Sequence, residues 1–294
     1  MSLQAHHATL PQHTSTQDYS KFKDIEVRID GPVAIAYLNR EKSLNGYTAL
    51  MGIEIIQFFD KINIDDQIRV GVLTGKGRVF CAGYDFSAGG GDFSSFNTPK
   101  TAEESMLERD GSGLVNLINN RKVTIAALNG PAIGVGITMV LPLDMRIAAK
   151  ETKVGFIFNR RGINAEAGSS YFLTRLVGQS AALGIVLRGD IRLASHNSLQ
   201  PLFEELVDKN DQVLPKALEI AHEIARETSV VSNAVNKALL WHQKPTPQQQ
   251  ENLEAMALYH LGASADSKEG VKAFLEKRSP KWPNVISKDL PKML

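Results

Sequence analysis

Residues 123–143 read VTIAALNGPAIGVGITMVLPL, an uncharged run about as long as a bilayer span. Glycine, proline and asparagine interrupt the run, and these residue types disfavour one continuous helix. They stand at Asn129, Gly130, Pro131, Gly134, Gly136 and Pro142. We therefore expect a buried strand, a tight turn and a buried helix here, and no membrane span.

The segments around this run alternate between strand and helix patterns. Residues 70–73, 79–81 and 145–149 are short apolar runs of the kind found in buried strands. Residues 25–37 alternate apolar and polar side chains around an Asp-Gly-Pro turn, which predicts a hairpin. Residues 51–62 carry apolar side chains at helical spacing. This alternation predicts a layered α/β core with crossover connections.

The two ends of the chain differ from this core. Residues 1–20 are polar and predict a flexible tail, whereas residues 21–200 hold the α/β patterns. Within them, the stretch at 87–100 is rich in Gly and Ser and predicts a loop. Residues 201–294 are dominated by helical patterns, so we expect a helical C-terminal region.

Composition excludes several classes of protein. The chain has 294 residues, 43% of them hydrophobic, which is enough to build a full core. Its 33 basic and 32 acidic residues leave a formal charge of +1, so nothing attracts the whole chain to nucleic acid or to an anionic membrane. The single cysteine, Cys81, excludes a disulfide framework and a cysteine-rich zinc site and favours a reducing compartment. The histidines lack metal-ligand spacing, and we expect no metal.

Three segments together resemble the crotonase family, also called the enoyl-CoA hydratase/isomerase superfamily. They are GRVFCAGYD at 77–85, NGPAIGVG at 129–136 and GINAEAGSS at 162–170, and their order and spacing match as well. The resemblance spans residues 24–278. It implies a spiral of repeated ββα units with a helical C-terminal region. It also implies acyl-CoA thioester substrates and a homotrimer or a dimer of trimers. Coenzyme A then enters as part of the substrate, and no separate cofactor is expected.

The resemblance also implies an oxyanion hole formed by two backbone amides, those of Tyr84 and Val135. Such donors stabilise the negative charge that a thioester oxygen develops when an enolate forms. Family hydratases use two glutamates, and the matching positions here hold Thr138 and Phe158. Neither can act as a carboxylate base, so the chain departs from the hydratase pattern at both.

Glu166 is the candidate catalytic base. By the residues alone, Asn164 has the character of a helix N-cap, and a glutamate in the following turn would complement the helix dipole. The resemblance favours another role, because Glu166 matches the single catalytic glutamate of one group of Δ3,Δ2-enoyl-CoA isomerases. A 1,3-proton shift needs only one base.

We expect two segments of the chain, the first motif and the C-terminal helix, to bind coenzyme A. Lys76, Arg78 and the backbone of Ala82 lie in or next to the first motif. Phe274 and Lys277 match positions on the family's C-terminal helix that reach adenine and phosphate, often across a subunit contact. That helix belongs to a basic segment, residues 268–294, with seven Lys or Arg against three Asp or Glu. A solvated basic helix end would explain the same charges.

Three functions remain open at this point. The first is isomerisation of a 3-enoyl-CoA to a 2-enoyl-CoA. The second is hydration or another crotonase reaction on a CoA thioester, and the third is a non-catalytic acyl-CoA-binding scaffold. We expect a cytoplasmic or peroxisomal location, although only Leu294 matches the peroxisomal Ser-Lys-Leu signal. Nucleic-acid binding is not expected, because the aromatics of the basic segment are too sparse for a stacking platform.

Overall fold

The computed structural model describes residues 17–87 and 112–291. Most of the predicted tail, the predicted loop from residue 88 onward and the last three residues lie outside this part of the chain. Within it, the strands are β1 (Ile25–Asp30), β2 (Val33–Leu38), β3 (Val70–Gly75), β4 (Val123–Leu128), β5 (Ala132–Ile133), β6 (Met145–Ala149), β7 (Lys153–Gly155), β8 (Ile191–Leu193) and β9 (Glu205–Val207). They form a six-stranded sheet in the order β1-β2-β3-β4-β6-β9 and a three-stranded sheet in the order β5-β7-β8.

The larger sheet is parallel except at one edge. β1 and β2 form the predicted antiparallel hairpin, and each later neighbour pairs in parallel. Parallel neighbours need crossover connections, and helices supply several of them. The helices are α1 (Ala49–Ile64), α2 (Val135–Thr138), α3 (Ser169–Val177), α4 (Gln179–Arg188), α5 (Val213–Glu227), α6 (Val230–Trp241), α7 (Pro247–Gly262), α8 (Ala265–Glu276) and α9 (Ile286–Asp289). The α/β prediction is confirmed.

Both faces of the larger sheet are buried at its central strands. Alternate residues of β2 face opposite sides: Val33 packs with α5, and Ala34 packs in the cluster that contains α1. The α5 face is covered by one helix, which presents Ala217 and Ala221 and so approaches the strands closely. Because neither face of β2, β3, β4 and β6 meets bulk water, these four strands are almost continuously apolar.

The uncharged run at 123–143 folds as predicted. It forms β4, a turn, β5 and the short helix α2. In residues 17–87 and 112–291, no helix has the length and apolar character needed to cross a bilayer.

The segment after residue 200 contributes to the larger sheet as well as to the helical region. β9 pairs in parallel with β6, and α5 covers the sheet. α6 is attached through Lys237, whose Nζ lies 2.8 Å from Oδ2 of Asp144. The same carboxylate oxygen accepts hydrogen bonds from the backbone and hydroxyl of Thr124, both at 2.8 Å. This buried cluster ties α6 to β4 and to the start of β6.

A buried carboxylate fixes the start of the hairpin. Glu54 of α1 is 4% exposed, and its carboxylate accepts the backbone amides of Lys23, Asp24 and Ile25 at 2.8, 2.8 and 3.1 Å. Hydrogen bonds to an ionised acceptor are stronger than neutral ones. Glu54 therefore joins the first strand to the first helix.

Replacing Glu54 by alanine leaves these amides without their acceptor, so we expect the free energy of unfolding to fall by about 3 kcal/mol. Denaturant unfolding followed by circular dichroism measures the change. Asp60→Ala, at an exposed position of the same helix, is the matched control. Equal unfolding midpoints for the two variants would contradict this role of Glu54.

Candidate active site

Two of the sequence motifs meet through a single parallel bridge. Cys81 pairs with Ala132: the Cys81 amide donates to the Pro131 carbonyl at 3.1 Å, and the Ile133 amide donates to the Cys81 carbonyl at 3.0 Å. The predicted strand at 79–81 is wrong, since only Cys81 forms a bridge. Gly83, at φ 104°, turns the chain just beyond it.

The two predicted oxyanion donors follow this bridge by the same number of residues. Tyr84 lies three residues beyond Cys81, and Val135 lies three residues beyond Ala132. Because the two segments run in parallel, both residues lie at the same end of the bridge. The bridge thus brings Tyr84 and Val135 into one neighbourhood.

The backbone around each predicted donor is fixed by a different part of the fold. The Gly83 carbonyl and the Asp85 amide both bond to Tyr47, at 2.8 and 3.0 Å. Amides alternate in direction along an extended chain, so the Tyr84 amide points away from Tyr47. Val135 is the first residue of α2, where backbone amides have no acceptor within the helix.

The close approach of the two segments depends on Gly136. A Cβ at this position would lie 2.4 Å from the Cys81 carbonyl oxygen and 2.9 Å from the Cys81 Cβ. These distances are too short for any side chain. Gly136 therefore lets the first turn of α2 lie directly against the first motif.

Glu166 reaches the same helix. Oγ1 of Thr138, the last residue of α2, donates a hydrogen bond of 2.6 Å to Oε1 of Glu166. Thr138 lies three residues after Val135, which is about 4.5 Å along a helix axis. The Glu166 carboxylate thus contacts α2 one helical turn after Val135, the predicted oxyanion donor.

The turn that presents Glu166 is not the first turn of a helix. α3 begins at Ser169 with Gly168 as its N-cap, and the Asn164 side chain donates to the Ala165 carbonyl. The reading of Asn164 as an N-cap is therefore wrong. Ala167 and Gly168 adopt φ values of 51° and 70°, and this left-handed pair ends the loop before the helix can start. For a non-glycine residue such as Ala167 the conformation is costly.

Phe158, at the second hydratase position, is buried. It begins a short 3-10 helix, Phe158–Arg161, and its ring packs edge-on against Phe156 with 6.4 Å between centroids. Thr138 is also fully buried, so neither hydratase position carries a carboxylate or faces bulk water.

Asp85, next to Tyr84, has a structural role. Its carboxylate accepts from the backbone and hydroxyl of Ser87 and pairs with Arg40 at 2.8 Å. The Ser87 hydroxyl bond, helped by Arg40, holds the pKa of Asp85 below its usual range. Arg40 also donates to the Gly46 carbonyl, so the network braces the loop behind Tyr84.

The Cys81 thiol is unreactive as a nucleophile in this environment. Its side chain is fully buried, and burial raises the pKa of its thiol to about 12. The thiolate needed for nucleophilic chemistry is absent at neutral pH. Among the described residues, no group of three or more His, Cys, Asp or Glu could hold a metal ion.

The residues predicted to bind coenzyme A lie in two separate places. Arg78 and Ala82 are exposed within the first motif, and the Ala82 amide donates to the Leu44 carbonyl at 3.1 Å. Lys76 forms an ion pair with Glu26. On α8, Phe274 is 80% exposed, and Lys277 is the helix C-cap with a left-handed backbone.

Sequence reasoning missed the hydrogen bond from Thr138 to Glu166. The sequence indicates only that Thr138 replaces a carboxylate base. Thr138 and Glu166 are 28 residues apart, and no local pattern links them. Sequence reasoning also missed Arg40, whose role is visible only when Asp85 and Gly46 are placed beside it.

Comparison with known proteins shows the family of this chain. The family model described as enoyl-CoA hydratase/isomerase matches residues 28–285. The chain is 40% identical over 266 residues to the enoyl-CoA hydratase AKT3-2 of Alternaria alternata, covering 88% of this chain and 87% of that one. It is 32% identical over 247 residues to the 1,2-epoxyphenylacetyl-CoA isomerase of Escherichia coli strain K12, covering 83% and 92%. A crystal structure from Streptomyces coelicolor A3(2) superimposes with a TM-score of 0.81 at 28% identity, covering 92% and 98%.

The chain therefore belongs to the enoyl-CoA hydratase/isomerase family, and its fold is the crotonase fold that the motifs predicted.

Substituting Gly136 by alanine forces a Cβ against the Cys81 carbonyl. We expect a loss of about 2 kcal/mol in the free energy of unfolding, the cost of overpacking a rigid contact. Denaturant titration measures it. Gly184→Ala is the matched control, because its Cβ would meet no atom within 4 Å and alanine favours the helix. Wild-type stability in Gly136→Ala would refute the close approach.

Proposed function

We propose that this member of the enoyl-CoA hydratase/isomerase family moves the double bond of a 3-enoyl-CoA to the 2,3 position, with Glu166 as the only base. The observation that carries the proposal is the hydrogen bond of 2.6 Å that fixes Glu166 beside α2. The absence of a carboxylate at Thr138 and Phe158 supports it, because one base suffices for a proton shift.

The reaction follows from the placement of the donors and the base. Glu166 takes a proton from C2, and the electron pair of the broken C–H bond enters the conjugated system. The resulting dienolate carries its charge on the thioester oxygen, which accepts hydrogen bonds from the amides of Tyr84 and Val135. The carbonyl re-forms as the C3–C4 π electrons take the proton back from Glu166 at C4. A C2–C3 double bond results, and no atom is gained or lost.

Coenzyme A is bound, in this proposal, as part of the substrate. Arg78 and Lys76 supply positive charge near the first motif, where Lys76 would exchange Glu26 for a phosphate. Phe274 and Lys277 would supply an adenine contact and a second positive charge. Their exposure on α8 is compatible with contacts to the substrate of a neighbouring subunit.

Hydration is the second candidate, and the names of relatives favour it. The Alternaria alternata relative that is 40% identical to this chain is called an enoyl-CoA hydratase. Under this alternative, Glu166 would act on a water molecule without the second glutamate. The remaining alternative is a scaffold that binds acyl-CoA without turnover.

The test is to incubate the purified protein with a trans-3-enoyl-CoA and follow conjugated-thioester absorbance together with product mass. We expect conjugation at constant mass. Glu166→Gln should lower the rate at least about 100-fold, the size of a general-base contribution. Glu223→Gln, at an exposed position of α5, should leave it unchanged.

The other outcomes would each overturn the assignment. Gain of one water would identify a hydratase. Binding of CoA with no chemical change would favour the scaffold. Full activity in Glu166→Gln would transfer the base to another residue.

We also propose that the chain assembles as a homotrimer or a dimer of trimers through the C-terminal helices. Helices α7 and α8 carry large apolar side chains that are each more than half exposed, and large exposed apolar area marks interaction surfaces. These side chains are Met256 (54%), Leu258 (71%), Tyr259 (79%), Val271 (60%), Phe274 (80%) and Leu275 (73%).

Size-exclusion chromatography with light scattering checks this assembly. We expect three or six chains for the wild type and smaller species for the double variant Leu258→Glu, Leu275→Glu, because burying these carboxylates in a subunit contact is costly. Ile64→Glu, 61% exposed on α1, is the control. A wild-type monomer at assay concentration would contradict the assembly.

A further inference from the structure

Thr138 holds an unusual combination of features. Its side chain is fully buried, and its hydroxyl reaches out of α2 to the Glu166 carboxylate, 28 residues away in the chain. A threonine inside a helix commonly turns its hydroxyl back to a carbonyl of the preceding turn. Here the hydroxyl donates to the Glu166 carboxylate instead. The distance of 2.6 Å between Oγ1 and Oε1 is that expected of a charge-assisted hydrogen bond.

The backbone of Thr138 is well fixed. Its amide donates to the Gly134 carbonyl at 3.1 Å, and its carbonyl accepts the Leu141 amide at 3.2 Å. The branched side chain further restricts rotation about χ1. The hydroxyl therefore has a fixed position relative to Val135, one turn earlier on the same helix.

Glu166 is less constrained by its own backbone. It lies in the loop before α3, half-buried, with its carbonyl accepting the Ser169 amide at 2.9 Å. A glutamate side chain has several rotatable bonds and loses substantial entropy when it is held in one conformation. An anchor at the carboxylate end limits this freedom where the chemistry requires it.

We propose that Thr138 is a positioning residue for the isomerisation: its hydroxyl holds the Glu166 carboxylate at a fixed distance from the Val135 amide and favours the ionised form of the base. The inference rests on the proposed function for its kinetic meaning. A proton shuttle must reach both C2 and C4 while the thioester oxygen stays on the amides. Attaching the base and one donor to the same helix preserves that geometry.

Thr138→Val removes the hydroxyl and keeps the branched shape. We expect kcat to fall about 10- to 100-fold, the range for losing a hydrogen bond to a charged group, while KM changes less than about 3-fold. In a plot of kcat against pH, the rise on the acid side should move to higher pH, because the Glu166 carboxylate loses a hydrogen-bond donor that favours its charged form. Thr138→Ser, which keeps the hydroxyl, should recover most of the rate.

Thr152→Val controls for the loss of a buried hydroxyl elsewhere. Thr152 is 1% exposed, accepts the Ala149 amide and contacts Asn210. This variant should lose stability without moving the rise of kcat on the acid side.

A second readout separates this inference from the proposed function. In the full-length protein labelled with ¹³C-glutamate, the carboxyl signal missing from Glu166→Gln identifies Glu166, and its titration needs no substrate. A higher midpoint in Thr138→Val supports the role of Thr138 even if the wild type does not isomerise a 3-enoyl-CoA. An unchanged midpoint together with unchanged kcat overturns it, even if isomerisation is observed.

Discussion

The candidate site depends on one contact between two stretches of backbone. Where Cys81 pairs with Ala132, the chain segments are so close that a Cβ at position 136 would overlap a carbonyl oxygen. Glycine removes the obstacle, and the parallel register then decides which amides lie together. The turn at Gly83 and the first amide of α2, where the resemblance places the oxyanion hole, both lie next to that contact. Because backbone atoms form the contact, it does not depend on the rotamer of a side chain.

The other half of the site comes from side chains and is built differently. Glu166 approaches from a loop whose left-handed residues, Ala167 and Gly168, delay the start of α3. Thr138 connects this loop to α2, and Asp85 with Arg40 braces the loop behind Tyr84. The hydroxyl of Thr138 thus joins the proposed base to the helix that carries Val135, one of the proposed donors. According to the resemblance, the family hydratases place one carboxylate at the position of this hydroxyl and a second at the position of Phe158, whereas Glu166 lies at neither position.

Sequence reasoning predicted the parts of the structure that depend on local pattern. The β1–β2 hairpin, α1 and the strand–turn–helix at 123–143 follow from apolar spacing and from turn residues, and the three motifs identified the fold. It failed where distant segments decide the outcome. The strand at 79–81 reduces to one bridge because Gly83 turns the chain. Asn164 caps no helix because two left-handed residues follow it. The bond between Thr138 and Glu166 joins segments that only the folded core brings together, and the ion pair of Lys76 with Glu26 depends on strand register.

The order of elements along the chain has a consequence for synthesis on the ribosome. One face of the larger sheet, with Val33, Val70, Val72, Ile125 and Ile147, packs against α5 within the described part of the chain. That helix lies at 213–227, more than sixty residues after β6. A nascent chain that has already delivered its central strands therefore carries an uncovered apolar surface throughout the translation of those residues. The edge of β6 that later pairs with β9 is open over the same interval. The protein is consequently most exposed to aggregation and to chaperone capture while residues 150–212 are being made, and slow translation of those residues would lengthen that period.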